Sequence, residues 1–295
     1  MWRSIILIFL IMTVALFGIA CEQTPIFDEA TQGQENSETK KDYSIEGTIE
    51  IIGSTSVQPL AEELAEAFML QNPQITVNVQ GGGSSVGVKS ALDGLGDIGN
   101  ASRNLKESEL GKGLVQHVAA LDGIAVVVHP DNPVSDLSAA QVKKIYTGEI
   151  VNWREVGGVD SEIIVFNREA ASGTRGAFID LTGLEEKQDD GSKKLLVTGK
   201  ALESNSNGAL KTSISTKTNA IGYVSLGTID GTIKAVSIDG MQPTTQNVID
   251  GEYTLFRPFL MLTNGEPNAQ TQLFLDFVMS ELGQAIVSEK YISSK

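Results

Sequence analysis

Three short stretches of this chain place hydroxyl side chains and glycines where an extended run gives way to a helical one: Gly53-Ser54-Thr55-Ser56, Gly81-Gly82-Gly83-Ser84-Ser85 and Ala171-Ser172-Gly173-Thr174. Each supplies hydroxyl donors together with first-turn N–H groups that have no partner inside the helix, at the positive end of the helix dipole. That combination binds anions. Glycine contributes because, without a Cβ, the backbone can come close to an oxyanion. One such cluster is also what an ordinary N-cap looks like. Three of them, with Arg168 just before the third and Arg103 in Asn100-Ala101-Ser102-Arg103, point to an oxyanion site, since a guanidinium fork donates two parallel hydrogen bonds to such a ligand.

Two enzymatic readings of the glycine turn compete with this one. A P-loop needs a lysine directly after its final glycine, whereas Gly87 is followed by Val88 before Lys89 and Ser90. One inserted residue turns the lysine by about 100° around the helix, away from any phosphate. Gly83-Ser84-Ser85-Val86-Gly87 matches the nucleophile elbow of serine hydrolases, with Ser85 as the nucleophile. Such an enzyme needs an acid and then a histidine downstream, and only His117 and His129 follow, both close behind the serine. With one cysteine and two histidines there is little to build a catalytic metal site from, so no metal and no cofactor are expected.

The elements that must hold these turns alternate. Thr48–Ile52 and Ile75–Val79 have strand character, and in Pro59–Leu70 the residues Leu60, Leu64 and Phe68 fall on one helical face. A second helix runs from the glycine turn to about Leu92, and Ser138 caps another through Tyr146. Val118–Val128 is long for one strand, Ile163–Phe166 and Ala220–Val224 are short, and a helix starts at Gly173. Tyr253–Thr263 reads as a strand, followed by helical periods from Ala269 to about Ser288. This is an α/β pattern.

Of 295 residues, 22 are Lys or Arg and 37 Asp or Glu, a net charge of −15. Nucleic acid is a poor partner for so acidic a chain, because neutralising a phosphate backbone needs a basic face. Residues 1–20, with Arg3, an apolar run and Gly18-Ile19-Ala20 before Cys21, read as a secretory signal, too short in its apolar part to span a bilayer. The small residues before the sole cysteine resemble a bacterial lipobox, which makes Cys21 the lipid attachment point and the membrane a partner through that anchor. Cleavage removes only Arg3 among the charges and leaves 21 basic against 37 acidic residues, a net of −16. Residues 21–45 are polar and lack hydrophobic periodicity after Phe27, as expected of a flexible linker.

Together, Gly53 to Pro59, Gly81 to Lys89, Asp97 to Arg103, Ile145 to Trp153, Asn167 to Phe178 and Ile221 to Val224 resemble, in the same order, the phosphate-binding proteins of bacterial phosphate ABC transporters, the PstS type. The resemblance covers the chain from residue 46 onward. It implies a two-lobed periplasmic-binding-protein fold of type II, two α/β domains joined by two hinge strands near Leu121–Val126 and Tyr223–Leu226. Lobe I would hold residues 46–122 and 227–295, and lobe II residues 123–226. It also implies a non-enzymatic, extracytoplasmic, monomeric receptor that captures inorganic phosphate and delivers it to the membrane permease. Thr55, Ser56, Ser84 and Ser85 would bind from lobe I, with Ser102 and Arg103 beside them, and Arg168, Ser172, Gly173 and Thr174 from lobe II.

Two positions depart from the enterobacterial branch of that family. Its aspartate after the Ala-Ser of the third motif, which accepts the proton of hydrogen phosphate, is Arg103 here, and its acidic partner two residues after the binding arginine is Ala170, with Glu169 only a neighbour. An acceptor matters because sulfate carries no proton near neutral pH and a buried carboxylate facing it would be repulsive. Asp122 and Asp97 are the candidate substitutes. A receptor for another tetrahedral oxyanion such as sulfate, and a phosphate sensor or adhesin on the same fold, are the alternatives within binding proteins.

Overall fold

The computed structural model describes residues 45–295. The expected signal segment, Cys21 and nearly all of the linker lie outside them. β1 (Gly47–Gly53) leads through α1 (Gln58–Gln71) to β2 (Ile75–Gly81), and α2 (Ser84–Asp93) leads on to β3 (Ile98–Ala101). β1 is parallel to both β2 and β3, so each helix is a crossover between parallel strands. Leu60, Ala61, Leu64, Ala65 and Phe68 are the buried face of α1. Pro at the start of that helix costs nothing, because its missing N–H would have had no intrahelical partner. Gly87 lets α2 lie directly on the sheet: a Cβ there would stand 2.3 Å from the Asn100 carbonyl and 2.9 Å from Gly53 Cα.

β4 (Leu114–Val128) is the longest strand among the described residues. Next come β5 (Asp136–Leu137), α3 (Ala139–Thr147), β6 (Ile164–Arg168), α4 (Gly173–Thr182), the hairpin of β7 (Glu185–Lys187) and β8 (Lys193–Leu195), β9 (Leu202–Ser204) and α5 (Asn207–Ser215). β10 (Ala220–Ser225), β11 (Lys234–Ala235), β12 (Ser237–Ile238), α6 (Thr245–Ile249), β13 (Phe256–Asn264), α7 (Ala269–Val278), α8 (Glu281–Ser288) and β14 (Ile292–Ser293) complete the chain. Ser138 caps α3 as expected, accepting from Gln141 N at 3.1 Å. The helical run expected from Ala269 to Ser288 is broken in two. Ser280 caps α8, and Gly283 fits against the Phe277 carbonyl where a Cβ would have only 2.2 Å.

The large sheet runs β2-β1-β3-β13-β4-β10-β6-β9. β4 holds it together: Leu114–Gly123 pairs antiparallel with β13, and Ile124–Val128 pairs antiparallel with β10. One core gathers Ile49, Ile51, Leu64, Phe68, Phe259 and Phe274, and another gathers Ile124, Val126, Trp153, Phe178 and Tyr223. The chain therefore has two α/β lobes, with one strand running from the first into the second, as the expected architecture requires. Residues 233–255, expected in lobe I, send Val236, Ile238, Val248, Tyr253 and Leu255 into the second core instead. Short strands and a five-residue helix carry no hydrophobic period long enough to reveal that allegiance from sequence.

Candidate functional site

The Gly/Ser/Thr turns stand at the carboxyl ends of parallel strands, where ligands bind in open α/β sheets. β1 ends at Gly53 before Ser54-Thr55-Ser56, β3 ends at Ala101 before Ser102-Arg103, and β6 ends at Arg168 before α4. Arg168 is 1% exposed. Its backbone N–H donates to Tyr223 Oη at 3.2 Å, and the Tyr223 hydroxyl in turn donates to Asn167 Oδ1. Phe178 stacks on the Tyr223 ring at 4.0 Å. Burial pushes the Tyr223 phenol well above its usual range, so it remains a neutral donor at physiological pH.

The turns converge across the lobes. Arg168 Nη2 donates to Thr55 Oγ1 at 3.2 Å, and Ser56 Oγ lies 2.7 Å from Thr174 Oγ1. Gly173 has no room for a side chain, since a Cβ would come within 2.1 Å of Ser84 Oγ and 2.8 Å of Ser102 Oγ. Its absence brings the first turn of α4 against the hydroxyls of lobe I. Ser102 accepts from Ser54 Oγ at 2.8 Å, while its N–H donates to Ser84 Oγ at 2.9 Å. Ser85 N donates to the Ala171 carbonyl at 3.0 Å, so the second and third turns meet directly. Ser172 caps α4 by accepting from Arg175 N at 3.1 Å, which leaves the amides of Gly173 and Thr174 as the helix-start donors that an anion would take.

Each arginine here has a carboxylate behind it. Glu169 takes the Arg168 fork, accepting from Nε at 2.9 Å and from Nη2 at 3.0 Å. It thus fills the place expected to be vacant at Ala170, which corrects its reading as a mere neighbour. Nη1 of Arg168 is buried without a hydrogen-bond partner among the described residues. Arg103 is committed to Glu109, through Nη1 at 2.7 Å and Nη2 at 2.9 Å, and reaches Ser85 Oγ at 3.4 Å. Burial pushes the Glu109 carboxyl up, but the Arg103 hydrogen bonds, the Lys106 amide and the charges of Arg103 and Lys106 together hold it below its ordinary range. The third arginine, Arg257, was not foreseen. Its Nη2 lies 3.3 Å from Ser56 Oγ, 3.2 Å from Thr174 Oγ1 and 2.9 Å from Asp122 Oδ2. Asn207 Nδ2, also unforeseen, donates to Ser56 Oγ at 2.8 Å.

Of the two candidate proton acceptors, Asp97 is elsewhere. Its Oδ2 accepts from Glu50 N at 2.9 Å and its Oδ1 from Asn268 Nδ2 at 3.1 Å, which ties β1 to the start of α7. Asp122 reaches the hydroxyl pair through the Arg257 guanidinium. Burial pushes its carboxyl up to about 6, against the opposing pull of Arg257, the Ser225 hydroxyl and the amides of Leu226 and Gly227. Burial likewise pushes Arg257 down, with Asp122 opposing that shift and Arg168 adding to it. Neither histidine pairs with Ser85. His117 Nε2 lies 3.3 Å from Thr263 Oγ1, and His129 Nδ1 accepts from Asp131 N at 3.1 Å. The arrangement can hold a tetrahedral oxyanion between hydroxyls and guanidinium groups drawn from both lobes.

The model of the PBP superfamily domain matches residues 30–281. The phosphate-binding protein PstS of Bacillus subtilis strain 168 is 34% identical over 285 residues, covering 95% of this chain and 88% of its own length. This chain belongs to the PstS family. The family member from Borreliella burgdorferi is 30% identical over 256 residues. Among solved structures, one from Clostridium perfringens with bound phosphate, described as a phosphate ABC transporter substrate-binding protein, is 40% identical with a TM-score of 0.80. It matches 84% of this chain and 100% of its own. An ABC-type phosphate transport receptor from Vibrio cholerae is also 40% identical, with a TM-score of 0.68 over 83% of this chain and 99% of its own. Members of this family bind and do not transform their ligand.

Arg257 could have been flagged from sequence. It interrupts the apolar run Phe256–Thr263, and a charge in a strand that must be buried needs a partner. Asn207, in Ser-Asn-Ser-Asn-Gly, carries no such signal, because those residues suit any turn or helix start.

Proposed function

We propose that this protein is an extracytoplasmic receptor that captures inorganic phosphate between its two lobes and delivers it to the permease of an ABC transporter, with no catalysis of its own. The observation that carries this reading is the meeting of Arg168, Thr55, Ser56 and Thr174, contributed by both lobes, at one buried polar site. The ligand-binding set is Thr55, Ser56, Ser84, Ser85, Ser102, Arg103, Arg168, Ser172, Gly173 and Thr174. In it, Arg103 acts mainly by holding Ser85, given its bond to Glu109.

A ligand that bonds both lobes stabilises the closed arrangement by its differential contacts, and the permease would read that closed shape. Arg168, Arg257 and Arg103 are each paired with a carboxylate, so the site carries little net positive charge of its own. Capture then rests on oriented N–H and O–H groups in an enclosed, weakly screened space. Such charge-assisted bonds, roughly 1.5–3 kcal/mol each, are enough for micromolar binding or better.

Lobe II is proposed to span residues 123–255 and lobe I residues 46–122 and 256–295, in place of a return at 227, because Val236, Ile238, Val248, Tyr253 and Leu255 share the second core. Lipid anchoring at Cys21 and a monomeric state belong to the same proposal. No helix among the described residues is long and apolar enough to cross a membrane. Calorimetric titration with phosphate, arsenate and sulfate at two pH values tests the assignment. Phosphate and arsenate should bind and sulfate should not. Equal binding of sulfate would replace phosphate by the broader class of oxyanions.

A further inference from the structure

The hydroxyls of Ser56 and Thr174, one from each lobe, are 2.7 Å apart and buried. Distance alone does not say which of them donates. The groups around Ser56 do. Asn207 Nδ2 donates to its oxygen at 2.8 Å, and the orientation of that amide is set by its other end, where Oδ1 accepts from Ser225 N at 3.5 Å. Arg257 Nη2 donates to Ser56 Oγ at 3.3 Å and to Thr174 Oγ1 at 3.2 Å, while Asp122 Oδ2 stands 2.9 Å from the same nitrogen as its counter-charge. A guanidinium and an amide NH2 can only donate, and a hydroxyl oxygen has two lone pairs. Both lone pairs of Ser56 are therefore engaged, and its hydrogen must go to Thr174. Thr174 is then an acceptor twice over, and its own hydrogen is left to find a partner in a space where its side chain is 1% exposed.

We infer that Arg257 and Asn207 are positioning residues of the anion site: they set the proton direction of the Ser56–Thr174 pair so that Thr174 presents a hydrogen, and not a lone pair, to the bound oxyanion. Asp122 anchors the guanidinium that does this. An oxyanion oxygen completes the Thr174 hydroxyl, whereas a ligand presenting an O–H or N–H there meets another hydrogen. This rests on the phosphate reading above and adds to it the residues that choose which ligand atoms are accepted at that position.

Asn207→Asp tests the inference because it keeps the shape and exchanges donor for acceptor. The Ser56 hydrogen would turn to the new carboxylate, the Thr174 hydrogen would turn to Ser56, and the donor would be withdrawn from the anion. Phosphate binding at pH 7 should weaken by about a hundredfold or more, from the lost charge-assisted bond together with the added negative charge. A double-mutant cycle with Thr174→Val separates these contributions, with thermal unfolding run alongside to establish folding. If Asn207→Asp already withdraws the Thr174 donor, adding Thr174→Val to it should cost far less than Thr174→Val costs in the wild type. Fully additive losses would mean that charge alone acts, and would overturn the inference.

Should Asn207→Asp not fold, the paired variant Asp122→Asn/Arg257→Gln, which removes a buried ion pair without orphaning either charge, carries the test. Its dissociation constant for phosphate should rise by about tenfold, and an unchanged constant in the folded variant would overturn the inference. A wild-type protein that failed to bind phosphate in the same calorimeter would bring down the functional reading and this inference together. Binding by the wild type with an additive cycle would remove the inference only.

Discussion

Asp122 on β4 and Arg257 on β13 are cross-strand partners in register, with Oδ2 2.9 Å from Nη2 and both side chains almost wholly buried. They lie where β4 exchanges β13 for β10 as its neighbour, so the ion pair stands at the passage from one lobe to the other. The same guanidinium touches a hydroxyl from each lobe. A buried ion pair is weak support for stability, since desolvating both charges offsets much of their attraction. Its position beside the anion site is the better reason for its presence.

The raised carboxyl of Asp122 gives a pH prediction with a definite sign. Its folded value of about 6 exceeds the ordinary 3.8, so as pH rises the unfolded chain sheds this proton first. The group's contribution therefore falls between about pH 4 and pH 6 and is constant above, by on the order of 2–3 kcal/mol. Denaturant unfolding of the ligand-free protein from pH 3.5 to 8 should show the wild type losing stability relative to Asp122→Asn across that window. Parallel curves would mean that Asp122 titrates normally.

Arg168→Ala should weaken phosphate binding by about a hundredfold or more, because it removes a guanidinium whose Nη1 is unpartnered and leaves Glu169 without its fork. Arg168→Lys should recover little of this. An ammonium cannot reproduce the paired Nε and Nη2 bonds to Glu169 while reaching Thr55. An unchanged dissociation constant in the alanine variant would contradict the site.

Gly173→Ala should separate closure from folding. The added methyl would stand 2.1 Å from Ser84 Oγ across the lobes, so the open protein can hold it and the closed one cannot without shifting. Affinity should fall by about tenfold or more, while the melting temperature without ligand stays near that of the wild type or rises slightly from the better helix propensity of alanine. Small-angle scattering with phosphate would then report a larger radius of gyration than for the wild type. Identical scattering and affinity would show that the lobes meet differently.

Asp97→Asn should leave the preference for phosphate over sulfate untouched. Asp97 is occupied by the Glu50 amide and the Asn268 side chain, and its replacement should cost about 1 kcal/mol of stability at most. Competition binding with the two anions is the measurement. A collapse of discrimination in this variant would restore Asp97 as the proton acceptor.

The Gly/Ser/Thr turns were legible in sequence because their chemistry is local. Ser172 caps α4 and Ser138 caps α3 through bonds to residues three positions away, and Gly87 and Gly173 occupy positions where a side chain would collide with backbone or hydroxyls. The crossing strand was expected from the family resemblance, and the long apolar run Val118–Val128 fits it, within a strand that extends from Leu114 to Val128. Glu169 was passed over because its role depends on how one side chain folds back on its neighbour. Val236 to Leu255 carry no comparable mark of the core they join, because two-residue strands leave no period to read.

By itself, the sequence determined the alternation of strands and helices, the donor-rich turns at their junctions and thereby the class of ligand, since each depends on residues close together in the chain. The tertiary structure alone decided that Asp122 supports Arg257, that Asp97 serves β1 and α7, and that Asn207 and Arg257 meet Ser56 from 151 and 201 residues away. The physical reason is that a hydrogen bond's direction is settled by every donor and acceptor around it. In this site those groups come from both lobes, and only the closed fold brings them within reach of one another.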